Sequence, residues 1–373
     1  MKIGIDAHAA EKDGTGNCTY IRNLLLELKE IDKENEYIFY VTDINHPFYK
    51  NFSQNEKLKI KQLPIKTPFL RIPIFLAKET FKDSLDILHV QYISPPFFKG
   101  KLVVTIHDLC FLHFPESFSK FEVFRSKILI PFTAKKADKV ITGSNFSKND
   151  IISNYKINSQ KIEVIPYGVS SNFKPIKNEE KIKNVLKKYN IRGKYILTVG
   201  RLNPRKNLLS LVKAYNILKK NKRIPHKLVI AGKEDYNSKE TIKFVKKMDC
   251  YKNIIFTGFV RDEDLPYLYN GADIFVYPSL FEGVGLPVLE AMSCGIPVIT
   301  SNTSALKEIT GDAGIAINPF DIDEITQAIF QIISDRNLKS DYIKKAFIRA
   351  KEFSWKLTAQ KTLKIYKELL RYY

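Results

Sequence analysis

The chain has 373 residues, of which 44% are hydrophobic and 27% are charged, and its formal net charge is +20. This length predicts two domains with sizeable cores. The cysteines, Cys18, Cys110, Cys250 and Cys294, form no C-x-x-C pair, so we expect neither a disulfide framework nor a zinc site. The sequence contains no signal-peptide pattern and no apolar run long enough for a spanning helix, which predicts a cytoplasmic protein.

The positive charge is unevenly distributed along the chain. Residues 172–261 hold 24 Lys and Arg against 6 Asp and Glu, whereas residues 262–373 hold 12 against 15. This excess indicates either an anionic partner or the solvated helix faces of a lysine-rich protein. Nucleic-acid binding is disfavoured, because the basic region has no stacking-aromatic motif and no recognition module.

In the first half of the chain, apolar runs alternate with helical patterns. The opening "MKIGIDA" predicts a buried strand, which is followed by a glycine-containing turn and the amphipathic helix "YIRNLLLELKEI". Further strands are predicted at "YIFYVT", "DILHVQY", "LVVTIHDL" and "KVITGS". Strands that alternate with helices predict a parallel sheet, and we assign residues 1–171 to a first Rossmann-like α/β domain.

The second half repeats this pattern after Pro166, Gly168 and Pro175 interrupt the sequence. Strands and helices alternate from "YILTVG" to "IPVITS", which predicts a second doubly wound domain over residues 172–354. The amphipathic C-terminal segment 355–373 predicts a helix that packs back on the first domain. Two such domains that face one another leave a central cleft at the carboxyl ends of their sheets, where ligands bind.

The stretch "LFEGVGLPVLEAMSCGIPVIT" places Glu282 before a predicted helix and Glu290 inside it. The backbone amides of Gly283 and Gly285 can approach a ligand closely, and a helix N-terminus attracts phosphate. A carboxylate accepts two sugar hydroxyls. One acid could therefore hold a ribose and the other a hexose. The alternative is that Glu282 favours the helix dipole and Glu290 lies on the surface.

The stretch "VGRLNPRKNL" follows a strand and opens a helix, so that Arg201, Arg205 and Lys206 lie at the edge of the sheet. Such cations suit a diphosphate, and they would stabilise it as a leaving group. The alternative is a set of unrelated surface cations.

Two features of the first half of the chain give weaker evidence of function. The loop "GTGNCTY" contains Gly14 and Gly16 but lacks the third glycine of a dinucleotide-binding fingerprint, which disfavours an oxidoreductase. It is either a phosphate-binding loop or an ordinary tight turn. His107 ends an apolar strand, where it either contacts a substrate oxygen or serves the structure.

Residues 57–82 hold seven Lys and Arg and one acid among Phe, Leu and Ile. This pattern is typical of a segment that contacts an anionic membrane or an acceptor. A loop followed by an ordinary helix explains it equally well.

Together, "FEGVGLPVLEAMSCGIPVI", "VGRLNPRKN", "FTGFV" and "DGTGNCTY" resemble the retaining family 4 glycosyltransferases of GT-B fold. The resemblance spans nearly the whole chain. "VTIHDLCFLHFPE" and "ITGSNFSKNDI" are similar to the mannosyltransferase-like branch, which builds bacterial surface polysaccharides. The chain departs from the family in its first loop, because Thr15 separates Gly14 from Gly16 where the family often has adjacent glycines.

The resemblance implies a role for each matching residue. Glu290 would bind the ribose, Arg201 and Lys206 the diphosphate, and Glu282 the donor sugar. Backbone amides after Glu282 would also contact the donor, at Gly283, Val284, Gly285 and Leu286. The base would lie at Phe259 and Val260, Gly14 and Gly16 would meet the phosphate from the first domain, and His107 would contact the donor sugar near its reacting carbon.

The implied activity is retaining transfer of a hexose to a glycan or lipid-linked acceptor. We expect mannose from GDP-mannose, with a UDP- or dTDP-sugar as the alternative donor, and neither a metal nor any other cofactor. The expected location is cytoplasmic, with peripheral contact to an anionic membrane. A nucleotide-sugar epimerase of the same fold is the rival activity.

Overall fold

The computed structural model describes residues 1–52, 56–235 and 238–370, and the chain divides into two compact units. Unit 1 comprises Met1–His113, Ser119–Gly168 and the C-terminal segment that begins at Ser354, and unit 2 comprises Phe114–Phe118 and Val169–Phe353. The predicted division instead kept residues 114–118 in the first domain. In the structure this short segment is tied to unit 2, where Ser117 Oγ lies 2.9 Å from Asn203 Oδ1.

Unit 1 contains a seven-stranded parallel sheet in the order β3-β2-β1-β4-β5-β6-β7. Its central strands are buried at every residue except Lys101, because helices cover both faces of such a sheet. The strands are β1 Lys2–Asp6, β2 Glu36–Val41, β3 Leu58–Gln62, β4 Ile87–Gln91, β5 Lys101–Thr105, β6 Lys139–Thr142 and β7 Ile162–Val164. The helices are α1 Gly16–Ile31, α2 Pro68–Leu70, α3 Ala77–Lys82, α4 Cys110–His113, α5 Lys120–Lys136 and α6 Asn145–Tyr155.

Unit 2 contains a six-stranded parallel sheet in the order β10-β9-β8-β11-β12-β13. Its strands are β8 Tyr195–Val199, β9 Lys227–Ala231, β10 Ile254–Gly258, β11 Ile274–Tyr277, β12 Val298–Ser301 and β13 Ile315–Ile317. Its helices are α7 Glu179–Lys188, α8 Leu208–Ile217, α9 Lys239–Val245, α10 Leu265–Gly271, α11 Leu286–Ser293, α12 Ser304–Thr310, α13 Ile322–Ser334 and α14 Arg336–Ala350. The two doubly wound sheets confirm the predicted fold class.

The last helix, α15 Trp355–Leu370, belongs to unit 1 and packs along α1. Tyr366 Oη lies 2.5 Å from Nδ1 of His89, a buried residue of β4, and Thr358 Oγ1 donates to the carbonyl of Pro166 at 2.7 Å. The predicted C-terminal helix ran to residue 373, and residues 371–373 lie outside the described residues. Among the described residues, no helix is long and apolar enough to cross a membrane.

A buried ion pair joins β1 to the segment between β3 and β4. Arg71 donates from both Nη atoms to the Asp6 carboxylate, at 2.8 and 2.9 Å, and Nδ1 of His8 lies 2.8 Å from the same carboxylate. Burial would raise the pKa of Asp6, but the charges of Arg71 and His8 hold it well below its ordinary value. Arg71 was counted among the cations of the predicted membrane segment, and its burial removes it from any surface role.

We predict that Arg71→Met destabilises the protein by about 3–5 kcal/mol, because it leaves the Asp6 carboxylate buried without its main counter-charge. Urea unfolding measures the loss, and Lys78→Met, an exposed change on α3, is the matched control. The double variant Asp6→Leu, Arg71→Met should recover much of the stability. A single Arg71→Met variant as stable as the wild type would contradict the assignment.

Candidate active site

The candidate site lies at the carboxyl edge of the unit 2 sheet, where strand order reverses direction. β8 is followed in the chain by β9 and β10 on one side, whereas β11, β12 and β13 continue on the other side. Ligands of doubly wound sheets bind outside the carboxyl ends of the strands at such a switch point. The loops after β8 and β11 are therefore the ones that the fold brings together at this edge.

The carboxylate of Glu282, in the loop after β11, is the centre of a polar cluster. Its Oε1 lies 2.5 Å from Lys206 Nζ and 2.8 Å from Arg205 Nη1, both in the loop after β8. The hydroxyls of Ser279 and Tyr277 donate to the same oxygen at 2.6 and 3.0 Å. Two cations and two hydroxyls thus converge on one buried carboxylate.

Local backbone geometry holds the two loops in register. Asn203 caps the short 3₁₀ turn Pro204–Lys206 by accepting from the Arg205 amide at 3.0 Å. The carbonyl of Arg205 in turn accepts from the amide of Leu280 at 2.8 Å. The amide of Glu282 donates to Ser304 Oγ at 3.1 Å. Each loop therefore fixes the backbone of the other.

The surroundings of Glu282 keep it ionised. Burial alone would raise its pKa, but the charges of Arg205 and Lys206 and the hydrogen bonds from Lys206 and Ser279 lower it to about 2. For Tyr277, burial and the Glu282 charge raise the pKa well above its ordinary value, so its hydroxyl remains a donor. Lys206 Nζ also donates to this hydroxyl at 2.5 Å.

Glu290, on α11, has the opposite electrostatic environment. Burial raises its pKa to about 7, with a further rise from the charge of Asp262, although the Tyr269 hydroxyl donates to its Oε2 at 2.8 Å and opposes the shift. Its negative charge also contributes to the raised pKa of Tyr277. Tyr277 is therefore within electrostatic reach of both acids.

Between the two acids the backbone makes a tight turn into α11. Gly283, Val284 and Gly285 are buried, and Gly285 adopts a φ of +93° immediately before Leu286 begins the helix. A side chain at Gly285 would be strained by this φ, and its Cβ would also lie 2.6 Å from Leu306 Cδ2. The turn thus requires glycine at this position.

The neighbouring strands also end at glycines with positive φ. A Cβ at Gly232, after β9, would lie 1.9 Å from the carbonyl oxygen of Gly200, after β8. Gly258 ends β10, and beyond it Phe259 is 40% exposed with Lys233 Nζ 4.3 Å from its ring centroid, whereas Val260 is buried. This side of the edge therefore presents one exposed aromatic ring beside a cation.

The structure and the sequence prediction differ on which arginine accompanies Lys206 at the site. Lys206 contacts Glu282 as described, but its companion on the carboxylate is Arg205 rather than Arg201, whose side chain is exposed. Sequence reasoning also missed Tyr277 and Ser279. Their position directly at the end of a strand beside the switch point is the signal that could have identified them.

The predicted site residues of unit 1 lie in two places. Gly14 and Gly16 are exposed in the turn that starts α1, and a Cβ at Gly16 would meet nothing within 4 Å. His107 follows β5 and is buried, with Nδ1 2.6 Å from the Tyr167 hydroxyl and Nε2 2.8 Å from Gln91 Oε1. Burial and the neighbouring His89 lower the His107 pKa to about 3, so the ring is neutral and both nitrogens are engaged.

Within residues 1–52, 56–235 and 238–370, no group of three or more His, Cys, Asp or Glu side chains could hold a metal ion. The positive charge that the structure places at the candidate site comes from Arg205 and Lys206. These side chains can stabilise a phosphate group by direct charge-assisted hydrogen bonds.

We predict that the stability difference between Glu290→Gln and the wild type depends on pH. The native pKa of about 7 exceeds the ordinary value of 4.5, so the stabilisation from protonated Glu290 is complete below about pH 4.5 and is lost as the pH rises through 7. Glu290→Gln, which is neutral throughout, should therefore gain stability relative to the wild type from pH 5 to pH 8 in urea unfolding. A constant difference, like that expected for exposed Glu180→Gln, would contradict this assignment.

The sequence matches two families that together span most of the chain. Residues 19–173 match the family described as "Glycosyltransferase Family 4", and residues 178–349 match "Glycosyl transferases group 1". The first match lies mostly in unit 1 and the second lies within unit 2.

Two individual relatives are also named as glycosyltransferases. An "O-antigen chain mannosyltransferase B" of Escherichia coli is 35% identical over 294 residues, which cover 79% of this chain and 76% of that protein. A "UDP-Gal:alpha-D-GlcNAc-diphosphoundecaprenol alpha-1,3-galactosyltransferase" of Escherichia coli is 28% identical over 277 residues, covering 71% and 70%.

Among solved structures, sucrose-phosphate synthase from Thermosynechococcus elongatus superposes with a TM-score of 0.79 at 20% identity and covers 100% of both chains. At this identity the likeness shows the fold alone, and that fold is GT-B. Taken with the family matches and the 35% identical relative, it shows that the chain belongs to glycosyltransferase family 4 and is a retaining glycosyltransferase of GT-B fold.

Proposed function

We propose that this enzyme transfers mannose from GDP-mannose to a glycan carried on a lipid diphosphate, in the synthesis of a cell-surface polysaccharide. The observation that carries the proposal is the convergence of Arg205 and Lys206 at the switch point of the unit 2 sheet. The name of the 35% identical relative supports mannose, and the name of the 28% identical relative supports a lipid diphosphate carrier.

Lys206, Arg201 and Arg205 are proposed to hold the diphosphate of the donor. Lys206 packs beside Gly200, where a Cβ would be 3.4 Å from Lys206 Cε, so the lysine side chain lies directly against the backbone at the end of β8. Glu282 balances part of the positive charge of Lys206 and Arg205 in the structure described. Arg201 is exposed in the same loop, where its guanidinium can turn to a bound phosphate.

The two acids are proposed to hold the two sugars of the donor. Glu290 accepts hydrogen bonds from the ribose hydroxyls, which supply the donors that its buried carboxylate needs in the ionised form. Glu282 accepts from hydroxyls of the hexose through the oxygen that Lys206 does not contact. The amides of Gly283, Val284, Gly285 and Leu286 are proposed to face the donor.

The proposed reaction retains configuration at the anomeric carbon. The bond between that carbon and the diphosphate oxygen breaks, and its electron pair leaves with the GDP. The acceptor oxygen bonds to the anomeric carbon on the same face, and the proton of the acceptor hydroxyl passes to an oxygen of the departing phosphate. Lys206 and its neighbouring arginines stabilise the negative charge that develops on the diphosphate.

The donor base is proposed to lie at Phe259 and Val260, where the exposed ring of Phe259 offers a stacking surface. The UDP-sugar in the name of the 28% identical relative keeps UDP as an alternative donor nucleotide. The contacts of Gly14, Gly16 and His107 with the donor remain predictions. Family membership favours transfer to an acceptor over the epimerase considered from the sequence.

We predict that Lys206→Ala and Arg201→Ala each lower turnover by about 10²–10³, the effect of removing one charge-stabilising donor from an active site. Hydrolysis of GDP-mannose to GDP and mannose, in which water takes the place of the acceptor, measures turnover independently of the unidentified acceptor. Lys183→Ala, an exposed change on α7, is the matched control. Near-normal turnover in both test variants would place the diphosphate elsewhere.

We also predict that Glu290→Ala weakens GDP binding by about tenfold or more, because hydrogen bonds to a charged group are lost. Isothermal titration calorimetry with GDP and 2′-deoxy-GDP isolates the ribose contact. The wild type should prefer GDP, and the variant should bind both nucleotides alike. If the variant keeps the preference of the wild type, Glu290 does not bind the ribose.

Thermal-shift titrations with GDP, UDP, dTDP and ADP test the donor assignment, since the tightest ligand raises the unfolding temperature most at equal concentration. GDP should rank first. A larger shift with UDP or dTDP would replace GDP-mannose by the corresponding donor and leave the transferase assignment intact.

A further inference from the structure

A five-residue segment of the chain, Phe114–Phe118, lies against the candidate site although its neighbours in sequence belong to unit 1. It connects α4 to α5, which are both helices of unit 1, whereas the segment itself belongs to unit 2. The proposed reaction assigns no role to it. We call this segment the strap.

The backbone of the strap forms a tight turn. Residues Pro115–Ser117 make a short 3₁₀ helix that begins with proline, whose fixed φ suits the first helical position and whose missing N–H is not needed there. The amides of Ser117 and Phe118 donate to the carbonyls of Phe114 and Pro115 at 3.0 and 3.1 Å. These contacts fix the backbone from which the Ser117 side chain projects.

The hydroxyl of Ser117 binds the side chain of Asn203, in the loop after β8. Ser117 Oγ donates to Asn203 Oδ1 at 2.9 Å, and the same oxygen accepts from the Arg205 amide at 3.0 Å. Asn203 Nδ2 donates to Asp235 Oδ2, in the loop after β9, at 3.2 Å. The side-chain amide of Asn203 is therefore held by the strap and by two loops at the sheet edge.

Asn203 in turn determines where the turn Pro204–Lys206 lies. In addition to the side-chain contact with Arg205, the carbonyl of Asn203 accepts from the amide of Lys206 at 2.9 Å. The turn is only three residues long, and Asn207 leaves it with a φ of +54°. A rotation of Asn203 would therefore move Arg205 and Lys206 directly.

The strap also contacts the loop that carries Glu282. The ring centroid of Phe114 lies 5.9 Å from that of Phe281, and the two ring planes are inclined at 54°. Phe281 is buried, and its carbonyl accepts from Arg205 Nη1. The strap thus touches both loops of the candidate site, one through a hydroxyl and the other through an aromatic ring.

We infer that Ser117 is a positioning residue for the donor diphosphate, because through Asn203 it holds the turn that presents Arg205 and Lys206. The inference rests on the proposed function for the identity of the bound group, a nucleoside diphosphate. Ser117 acts through Asn203 and is not placed in contact with the donor. Its removal should therefore weaken binding of the diphosphate without taking a charge away from the site.

Isothermal titration calorimetry with GDP tests the inference. Ser117→Ala should weaken GDP binding by about three- to tenfold, the effect of one lost hydrogen bond. Ser117→Thr keeps the hydroxyl and should bind GDP like the wild type. The matched control is Ser340→Ala, an exposed change on α14, which should also bind like the wild type.

A double-mutant cycle shows whether the effect passes through Asn203. In the Asn203→Ala background, the further change Ser117→Ala should leave GDP affinity the same within about twofold, because the contact between the two side chains is already lost. An effect of Ser117→Ala as large in that background as in the wild type would overturn the inference. So would a Ser117→Thr variant that binds GDP as weakly as Ser117→Ala.

The variant Lys206→Ala separates this inference from the proposed function. If Lys206→Ala weakens GDP binding and Ser117→Ala does not, only the positioning role is overturned. If Lys206→Ala leaves GDP affinity unchanged, the diphosphate lies elsewhere and both assignments are overturned. A Ser117→Ala variant whose unfolding temperature without GDP falls while GDP affinity is kept would show that the contact serves stability alone, which also overturns the inference.

Discussion

The buried carboxylate of Glu282 is the constraint on which the carboxyl edge of unit 2 depends. A buried charge requires a counter-charge and saturated hydrogen bonds. Arg205, Lys206, Ser279 and Tyr277 supply both, and they come from the two loops that flank the switch point. The acid therefore joins the loops after β8 and β11, and the cations that are proposed to bind the diphosphate are assembled around it. Structure and proposed chemistry use the same contacts.

The two acids of the site differ because their neighbours differ. Glu282 lies against two cations and remains ionised far below neutral pH. Burial raises the pKa of Glu290 to about 7, and the charge of Asp262 adds to the rise, although the hydrogen bond from Tyr269 opposes it. A carboxylate of the second kind is stabilised by a ligand that donates hydroxyls. This contrast is consistent with the proposed roles, in which Glu282 lies among the cations that hold the diphosphate and accepts from the hexose, whereas Glu290 accepts from the ribose hydroxyls. Pairs of titratable groups with opposite shifts are characteristic of functional sites.

The sequence predicted those strands and helices whose hydrophobic residues follow a strong periodic pattern. The predicted strands from "MKIGIDA" to "IPVITS" all occur in the two sheets. The unpredicted strands are β3, β7 and β13, which lie at sheet edges and are only three to five residues long. Edge strands bury less side-chain surface, so their hydrophobic pattern is weak. β3 lies at the start of residues 57–82, the segment whose lysines predicted a membrane contact.

The sequence by itself determined the family, the two α/β sheets and the identity of Glu282, Glu290 and Lys206 as site candidates, because spacing along one chain segment carries that information. Only the tertiary structure decided which cation meets Glu282, since Arg201 and Arg205 stand in the same loop and differ in direction. It also decided that Arg71 is buried, that both nitrogens of His107 are engaged, and that Phe121 and Phe124 are exposed. The physical reason is that burial and charge pairing depend on neighbours distant in sequence, which local patterns do not specify.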